Sequence, residues 1–266
     1  MIKRTVGALT IALFVLTAAG SGSAMDERAG VRVIDLTYTF DSRTIYWPTE
    51  KPFVHQSEHF GLTPEGYFYS SAKFAAPEHG GTHMDAPIHF SRGGATADKV
   101  PLADCIGPAA VIDFSERAAN DRDATLDLDD IANYERAYGP IPDGAIVVAR
   151  SGWGKYWPDK KRYLGTDKPK DVAHLRFPGF SPEAIAFLIE NRRVSAIAID
   201  TPSIDPGNST DFPVHQMWLG HNKPAFENVA NADKLPPVGA TLFCIPMKIG
   251  DGTGGPTRIF ALLPQI

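Results

Sequence analysis

The chain has 266 residues, a formal net charge of -5 and a pI near 5.9. Hydrophobic residues at 43% and charged residues at 21% match ordinary globular proteins and exclude wholesale disorder. The acidic balance gives no global basic footprint for nucleic acid, and two cysteines, both in apolar surroundings, are too few for a disulfide scaffold.

The chain opens on Met1-Ile2-Lys3-Arg4, followed by an uncharged run from Thr5 to Met25 that is most apolar between Val6 and Ala19 and closes on Gly22-Ser23-Ala24. A basic start, a short apolar middle and a small-residue exit read as a secretory signal cleaved after Ala24. The apolar part, about 14 residues, is shorter than the ~17–25 a spanning helix needs. No later stretch is long and apolar enough to span a membrane. The expectation is a signal peptide over 1–24 and a single domain over 25–266, exported to the periplasm or medium and free of the membrane once the leader is removed.

Strand-length apolar runs follow at Val31–Leu36, Tyr67–Phe74, Ala109–Phe114, Ala145–Ala149, Val194–Asp200, Ala240–Pro246 and Arg258–Leu263. Several are rich in Val and Ile and bounded by Gly, Pro or Asp, as buried strands are. Two helices are predicted between them. Leu128–Tyr138 has Asp127 and Asp129 at its start. Pro182–Arg192 has Ser181 as N-cap, Pro182 in the first turn, and Ile185, Leu188 and Ile189 on one face. No repeat or linker divides the chain, so the fold class is α/β, with a mixed sheet or barrel-like β core and flanking helices. The polar and aromatic stretch Trp153–Lys170 reads as a surface excursion.

One passage stands apart: His79-Gly80-Gly81-Thr82-His83-Met84-Asp85-Ala86-Pro87-Ile88-His89. Gly80-Gly81 and Pro87 oppose a continuous helix and predict a tight turn followed by extended chain. In extended chain, residues two apart point the same way, so His83 and Asp85 share a face. A sharp turn at the glycines can return His79 to the same point. Two imidazoles and a carboxylate then converge, a donor set suited to Zn²⁺, Mn²⁺ or Fe²⁺. A histidine-rich surface loop is the competing reading; three histidines with an aspartate, and glycines where the turn is required, favour the metal site. Downstream, His215 follows a Pro-rich loop and Glu227 lies twelve residues on, a pair that carries little weight by spacing alone.

The eleven-residue passage resembles the H-x-G-T-H-x-D-x-P-x-H signature of the cyclase family, which includes bacterial kynurenine formamidases and isatin hydrolases. Every fixed position is met. The similarity runs on through Asp35-Leu36-Thr37, Tyr46-Trp47-Pro48, Gly152-Trp153-Gly154 and Asp200-Thr201-Pro202-Ser203 to His215 and Glu227. The resemblance implies that His79, His83 and Asp85 bind a first metal and that Asp85 bridges to a second, completed by His215 and Glu227. It implies two divalent ions per subunit, Zn²⁺ or Mn²⁺, with His89 as the proton-transferring residue and Trp47 lining the substrate pocket. It also implies hydrolysis of a small aryl amide by a metal-activated water. Arylformamidase activity on N-formylkynurenine is the principal named reading, with isatin or another cyclic amide or lactone as the alternative. A dimer or tetramer is expected by the same analogy. The chain contains no G-x-S-x-G serine elbow.

Other residues admit two readings. Trp153 and Trp157 wall an aromatic substrate or pack a loop. Ser203 and Asp205 follow a strand end, where α/β sites collect, although turn chemistry explains them as well. His55 and His59 are four apart but flanked by Pro52 and Gly61, which favours the rim or the surface over ligation; His174 and His221 have no partner pattern. Gly250–Gly255 lacks the residues of a phosphate loop. A periplasmic metal- or solute-binding protein is the competing class; it has no need of a proton carrier, and His89 occupies that position.

Overall fold

The computed structural model describes residues 25–28 and 31–264; the leader expected over 1–24 lies outside them. In chain order, strands β1 (Met25–Arg28), β2 (Val31–Asp35), β3 (Val54–Leu62), β4 (Phe68–Ala75), β5 (His83–Asp85) and β6 (Ile106–Asp113) precede helix α1 (Ser115–Asn120). Then come β7 (Thr125–Leu126), α2 (Leu128–Tyr138), β8 (Ile146–Arg150), α3 (Lys160–Leu164), β9 (Gly179–Phe180), α4 (Pro182–Asn191), β10 (Ala196–Ile199) and α5 (Pro213–Gly220). Strands β11 (Ala225–Glu227), β12 (Thr241–Pro246) and β13 (Gly254–Pro264) close the chain.

The main sheet runs β1-β2-β13-β12-β6-β8-β10-β11-β5, and a further β13–β5 pairing closes it into a barrel. Strands β6, β8, β10 and β11 are parallel, because helices cross over between them; the remaining pairings are antiparallel. The single α/β domain with a mixed, barrel-like core is the architecture expected from the sequence.

Alternation along the parallel strands divides the core into two layers. Val111, Ile146, Val148, Ala196 and Ala198 pack inside the barrel with Met84, Phe226, Leu242 and Ile259. Ile112, Val147, Ala149, Ile197 and Ile199 face outward, covered by Ile131 of α2, Ile185 and Leu188 of α4, and Val214, Trp218 and Leu219 of α5. Both predicted helices form where expected. Asp127 and Asp130 make a reciprocal capping box on α2, and the Ser181 side chain accepts from the Ala184 N–H at the start of α4.

The stretch Trp153–Lys170 is not a surface excursion. Trp153, Tyr163 and Leu164 are fully buried with Leu175 and Phe177 in a third apolar cluster. The Trp153 indole N–H donates to the Tyr163 carbonyl at 2.8 Å, and the Tyr163 hydroxyl donates to Asn228 Oδ1 at 2.9 Å. Polar residues dominate the count in this stretch, but its few large apolar side chains all turn inward. Among the further elements that escaped the sequence reading are β3, whose residues are mostly polar, and α5, started by Pro213 at the end of the Pro-rich loop. No helix among the described residues is long and apolar enough to cross a membrane.

Candidate metal centre

Gly80 and Gly81 make the turn that presents the cluster. Gly81 sits at φ 59°, in the left-handed region, and a Cβ on Gly80 would fall 2.1 Å from the Tyr46 ring. Glycine is required at both positions. The chain then enters β5, where His83 and Asp85 point to one face and Met84 into the barrel. Antiparallel pairing with β11 sets Glu227 directly opposite His83. His215 lies in the first turn of α5, with its ring over the same spot. Barrel closure thus joins two sequence-distant residues to the eleven-residue passage.

The Asp85 carboxylate is the hub. Its Oδ1 lies 2.7 Å from His79 Nδ1 and 3.2 Å from His83 Nε2; its Oδ2 lies 3.2 Å from His215 Nε2. Glu227 is 3.4 Å from His83 Nε2 through Oε2 and 3.3 Å from His215 Nε2 through Oε1. Two groups have ligand atoms close enough to hold an ion: His79 with Asp85 and His89, and His83 with Asp85 and Glu227. His89 therefore stands within ligand reach, its ring stacked on that of His79 at 3.7 Å between centroids.

Outer partners fix the tautomers. His83 Nδ1 donates to the Gly81 carbonyl at 3.0 Å, and His215 Nδ1 donates to Asp205 Oδ2 at 2.6 Å. The Thr253 hydroxyl gives its proton to Glu78 Oε2 at 2.6 Å, so it accepts from His79 Nε2 at 2.8 Å. Three unprotonated nitrogens are left facing two buried carboxylates, an arrangement that is repulsive unless positive charge lies between them. Nitrogen and carboxylate donors backed by outer acceptors are what a divalent ion such as Zn²⁺ or Mn²⁺ requires, so the residues fit a metal.

The electrostatics show the same demand for positive charge. Burial alone would lower the pKa of His83 and His215, but the hydrogen bonds and charges of Asp85, Glu227 and Asp205 overcome it and raise both. Burial would raise Asp85, yet hydrogen bonds from His215, His79 and His83 hold it well below the carboxylate range. Glu227 is pushed up by burial and by the Asp85 charge. His89 goes the other way: burial, opposed by Asp85 and reinforced by the neighbouring imidazoles, lowers it to about 4.

Above this floor lies a cavity of about 480 Å³, within the usual range for small-molecule sites. Tyr46, Trp47, Phe90 and Phe212 line it with Ser203. Phe212 adopts φ 52°, an uncommon conformation for a bulky residue, and stands 6.2 Å from Trp47 and 5.5 Å from Phe90. Trp153 does not line the cavity; it packs in the third cluster, and Trp157 stacks on Tyr38 at 4.0 Å. His55 and His59 lie on β3, while His174 pairs with Asp171 at the surface. Glu78, Thr253, Phe90 and Phe212 were not singled out from sequence, and Tyr46 entered only within the matched segment Tyr46-Trp47-Pro48. Thr253 lies 174 residues from His79, and no local pattern links them.

Asp205 also accepts from the backbone N–H groups of Val214 and His215, at 3.0 and 2.9 Å, so one carboxylate both starts α5 and orients its imidazole. Asp205→Asn is expected to weaken metal binding by about 10–100-fold, as loss of an outer partner does elsewhere. Competition against a chelator of known affinity measures it.

Fold and site together define a metal-dependent hydrolase. The chain belongs to the cyclase family: the family described as "Putative cyclase" matches residues 34–206, more than half of the chain. That segment holds the eleven-residue passage but ends before His215 and Glu227. The isatin hydrolase of Roseibium aggregatum is 33% identical over 224 residues, 82% of this chain and 83% of the relative. The kynurenine formamidase of Salinibacter ruber is 30% identical over 226 residues, 85% and 95% of the two chains. Among solved structures, isatin hydrolase A from Labrenzia aggregata bound to benzyl benzoate superposes with a TM-score of 0.80 at 32% identity, covering 88% of this chain and 94% of that one.

Proposed function

We propose that the protein hydrolyses the C–N bond of a small aryl amide, and that the best fit is a compact, uncharged substrate of the isatin type. The observation that carries this is the convergence of His79, His83, Asp85, His89, His215 and Glu227 on the floor of an aromatic-walled cavity. We assign two divalent ions, Zn²⁺ or Mn²⁺, because the two Asp85 oxygens face different imidazoles: His79 and His83 on one side, His215 on the other.

Such ions, when bound, activate water near neutral pH and polarise a carbonyl. The protein's part is to place and protonate. Trp47, Phe90 and Phe212 hold the aryl ring, and Ser203 offers a hydroxyl at the cavity wall. His89, neutral at pH 7, accepts a proton from the attacking water and returns it to the leaving nitrogen as the bond breaks.

Charge separates the two named substrates. N-formylkynurenine carries an α-ammonium and an α-carboxylate; isatin carries neither. The cavity lining contains Glu50 and Glu78 but no Lys or Arg among the described residues, so no basic side chain of the lining pairs with a carboxylate. The expected kcat/KM for isatin exceeds that for N-formylkynurenine by at least about tenfold, the loss associated with ~1.4 kcal/mol of unpaired charge. The test is to quantify bound metal, then assay both substrates before chelation, after it, and after reloading with Zn²⁺ or Mn²⁺. A reloaded protein that hydrolyses neither would refute the reading.

Export through the 1–24 leader belongs to the same proposal, supported by its basic start and small-residue exit; the mass of the protein recovered from a periplasmic extract tests it. Assembly as a homo-oligomer is proposed by family analogy.

A further inference from the structure

Tyr163 lies on α3, fully buried in the third apolar cluster, with its ring 5.3 Å from that of Trp157. It is not part of the cavity lining. For packing alone, phenylalanine would serve. A buried hydroxyl costs stability unless it is hydrogen-bonded, and this one faces two acceptors: Asn228 Oδ1 at 2.9 Å and the Asp200 carbonyl at 3.0 Å. The frame around it is built on the buried Asp200 carboxylate. That group accepts from the Ser151 N–H and hydroxyl at 2.9 and 2.5 Å and from the Trp153 N–H at 3.0 Å. It thereby ties the start of the inward-folded segment to the end of β10.

From Tyr163 the hydrogen bonds lead to the metal centre, and their direction is fixed. The Gly81 carbonyl can only accept. It takes the Asn228 Nδ2–H at 2.8 Å and the His83 Nδ1–H at 3.0 Å, which fills both of its lone pairs. The amide nitrogen of Asn228 therefore faces Gly81 and its oxygen faces Tyr163. That oxygen and the Asp200 carbonyl are acceptors, so the hydroxyl donates. Among the described residues no backbone N–H donates to the Gly81 carbonyl, so the two side chains alone hold it. Asn228 is itself pinned through its backbone: its N–H donates to the Thr201 carbonyl at 2.9 Å, and its carbonyl accepts from the Thr82 hydroxyl at 2.7 Å. It sits at φ 54°, in the left-handed region that asparagine tolerates better than most residues.

We infer, taking His83 as a metal ligand in line with the function proposed above, that Tyr163 and Asn228 are its positioning residues. Together they hold the Gly81 carbonyl where it fixes the His83 ring and leaves Nε2 facing Asp85 and Glu227, at 3.2 and 3.4 Å. The relay joins segments 65 and 147 residues apart in the chain. It gives the buried stretch around Trp153 and Tyr163 a task at the site that its packing does not require.

The test uses Co²⁺ on metal-stripped protein. Affinity is read by competition with a chelator of known affinity, and the visible d–d bands of the loaded protein report ligand number and geometry. Tyr163→Phe is expected to weaken Co²⁺ binding by about tenfold, the lower end of the loss for an outer partner, and to shift the bands. Asn228→Gly, which keeps the positive φ, is expected to lose at least as much. Because Tyr163 acts through Asn228, adding Tyr163→Phe to Asn228→Gly should cost no further affinity. Leu175→Val is the control for packing: it opens the same cluster and lowers the thermal midpoint, but leaves affinity and bands at the parent's.

A Tyr163→Phe protein with the parent's affinity and bands would overturn the inference. So would losses that add in the double variant, or a Leu175→Val protein that shifts both readouts equally. If Tyr163→Phe does not fold, Asn228→Gly decides: a loss of affinity with shifted bands supports the relay, and an unchanged site overturns it. A parent that takes up no Co²⁺ refutes the metal reading and the relay with it, whereas a parent that binds and variants that match it refute the relay alone.

Discussion

Asp85→Ala is expected to abolish metal binding and, with it, hydrolysis. The residue is fully buried, accepts from or faces three imidazoles, and is the one carboxylate common to both candidate ligand groups. Removing it leaves His79, His83 and His215 around a cavity with no charge at its centre. Positive charge placed there loses its principal counterion, and Glu227 alone faces only His83 and His215. The contribution of a Lewis-acid ion is several kcal/mol of barrier, so the loss in kcat/KM is at least about 10³-fold. Metal content per chain should fall below a tenth of the parent's, and added Zn²⁺ or Mn²⁺ should not restore activity.

Protons compete for the same nitrogens. With the pKa values of His83 and His215 raised in the metal-free site, their inner nitrogens take up protons at a higher pH than an ordinary imidazole does. Metal affinity therefore falls as pH drops, beginning above ~6.5, and is full at alkaline pH. Stripping by a fixed chelator should be more complete at pH 5.5 than at pH 8. An affinity flat across that range would place the metal elsewhere.

His89→Ala is expected to separate binding from turnover. Its ring stacks on His79 and stands 6.2 Å from the His215 ring, lining the cavity. Deleting it leaves the contacts of Asp85 with His79, His83 and His215 untouched. Metal content is expected to stay near the parent's, while kcat falls about 10²–10⁴-fold, the usual contribution of a positioned acid–base group. An amide with a better leaving group should lose less, because it needs less help from a returned proton. If metal is lost in proportion to activity, His89 serves instead as a ligand with His79 and Asp85, which its place in that group permits. Measuring metal and kcat on the same preparation decides between the two roles.

The local chemistry of the site was legible because it is written in consecutive residues. Histidines, an aspartate and paired glycines within eleven positions announce a turn, an extended segment and a shared face, and all three are present. The strands β6, β8, β10, β12 and β13 were legible for a similar reason: buried parallel or barrel strands are apolar along their whole length. The helix α2 declared itself through its capping residue. Other features carried no such local mark. β3 is polar residue by residue, and only its pairing with β4 makes it a strand.

Length, composition and charge thus set the outer bounds, an acidic globular chain without a disulfide framework, and the pattern of apolar runs and capped helices narrowed them to one α/β domain. Within them the sequence by itself determined the ligand types around the turn at Gly80-Gly81. The tertiary structure decided what joins them. Closure of β5 between β11 and β13 sets Glu227 opposite His83, and α5 brings His215 over Asp85, across 130 residues of chain. It also buried Trp153 away from the cavity and turned an aromatic-rich hairpin outward. The physical reason is common to these cases. Ligand identity is a property of single side chains and their near neighbours, whereas convergence and burial depend on strand pairing between segments that the linear order keeps apart.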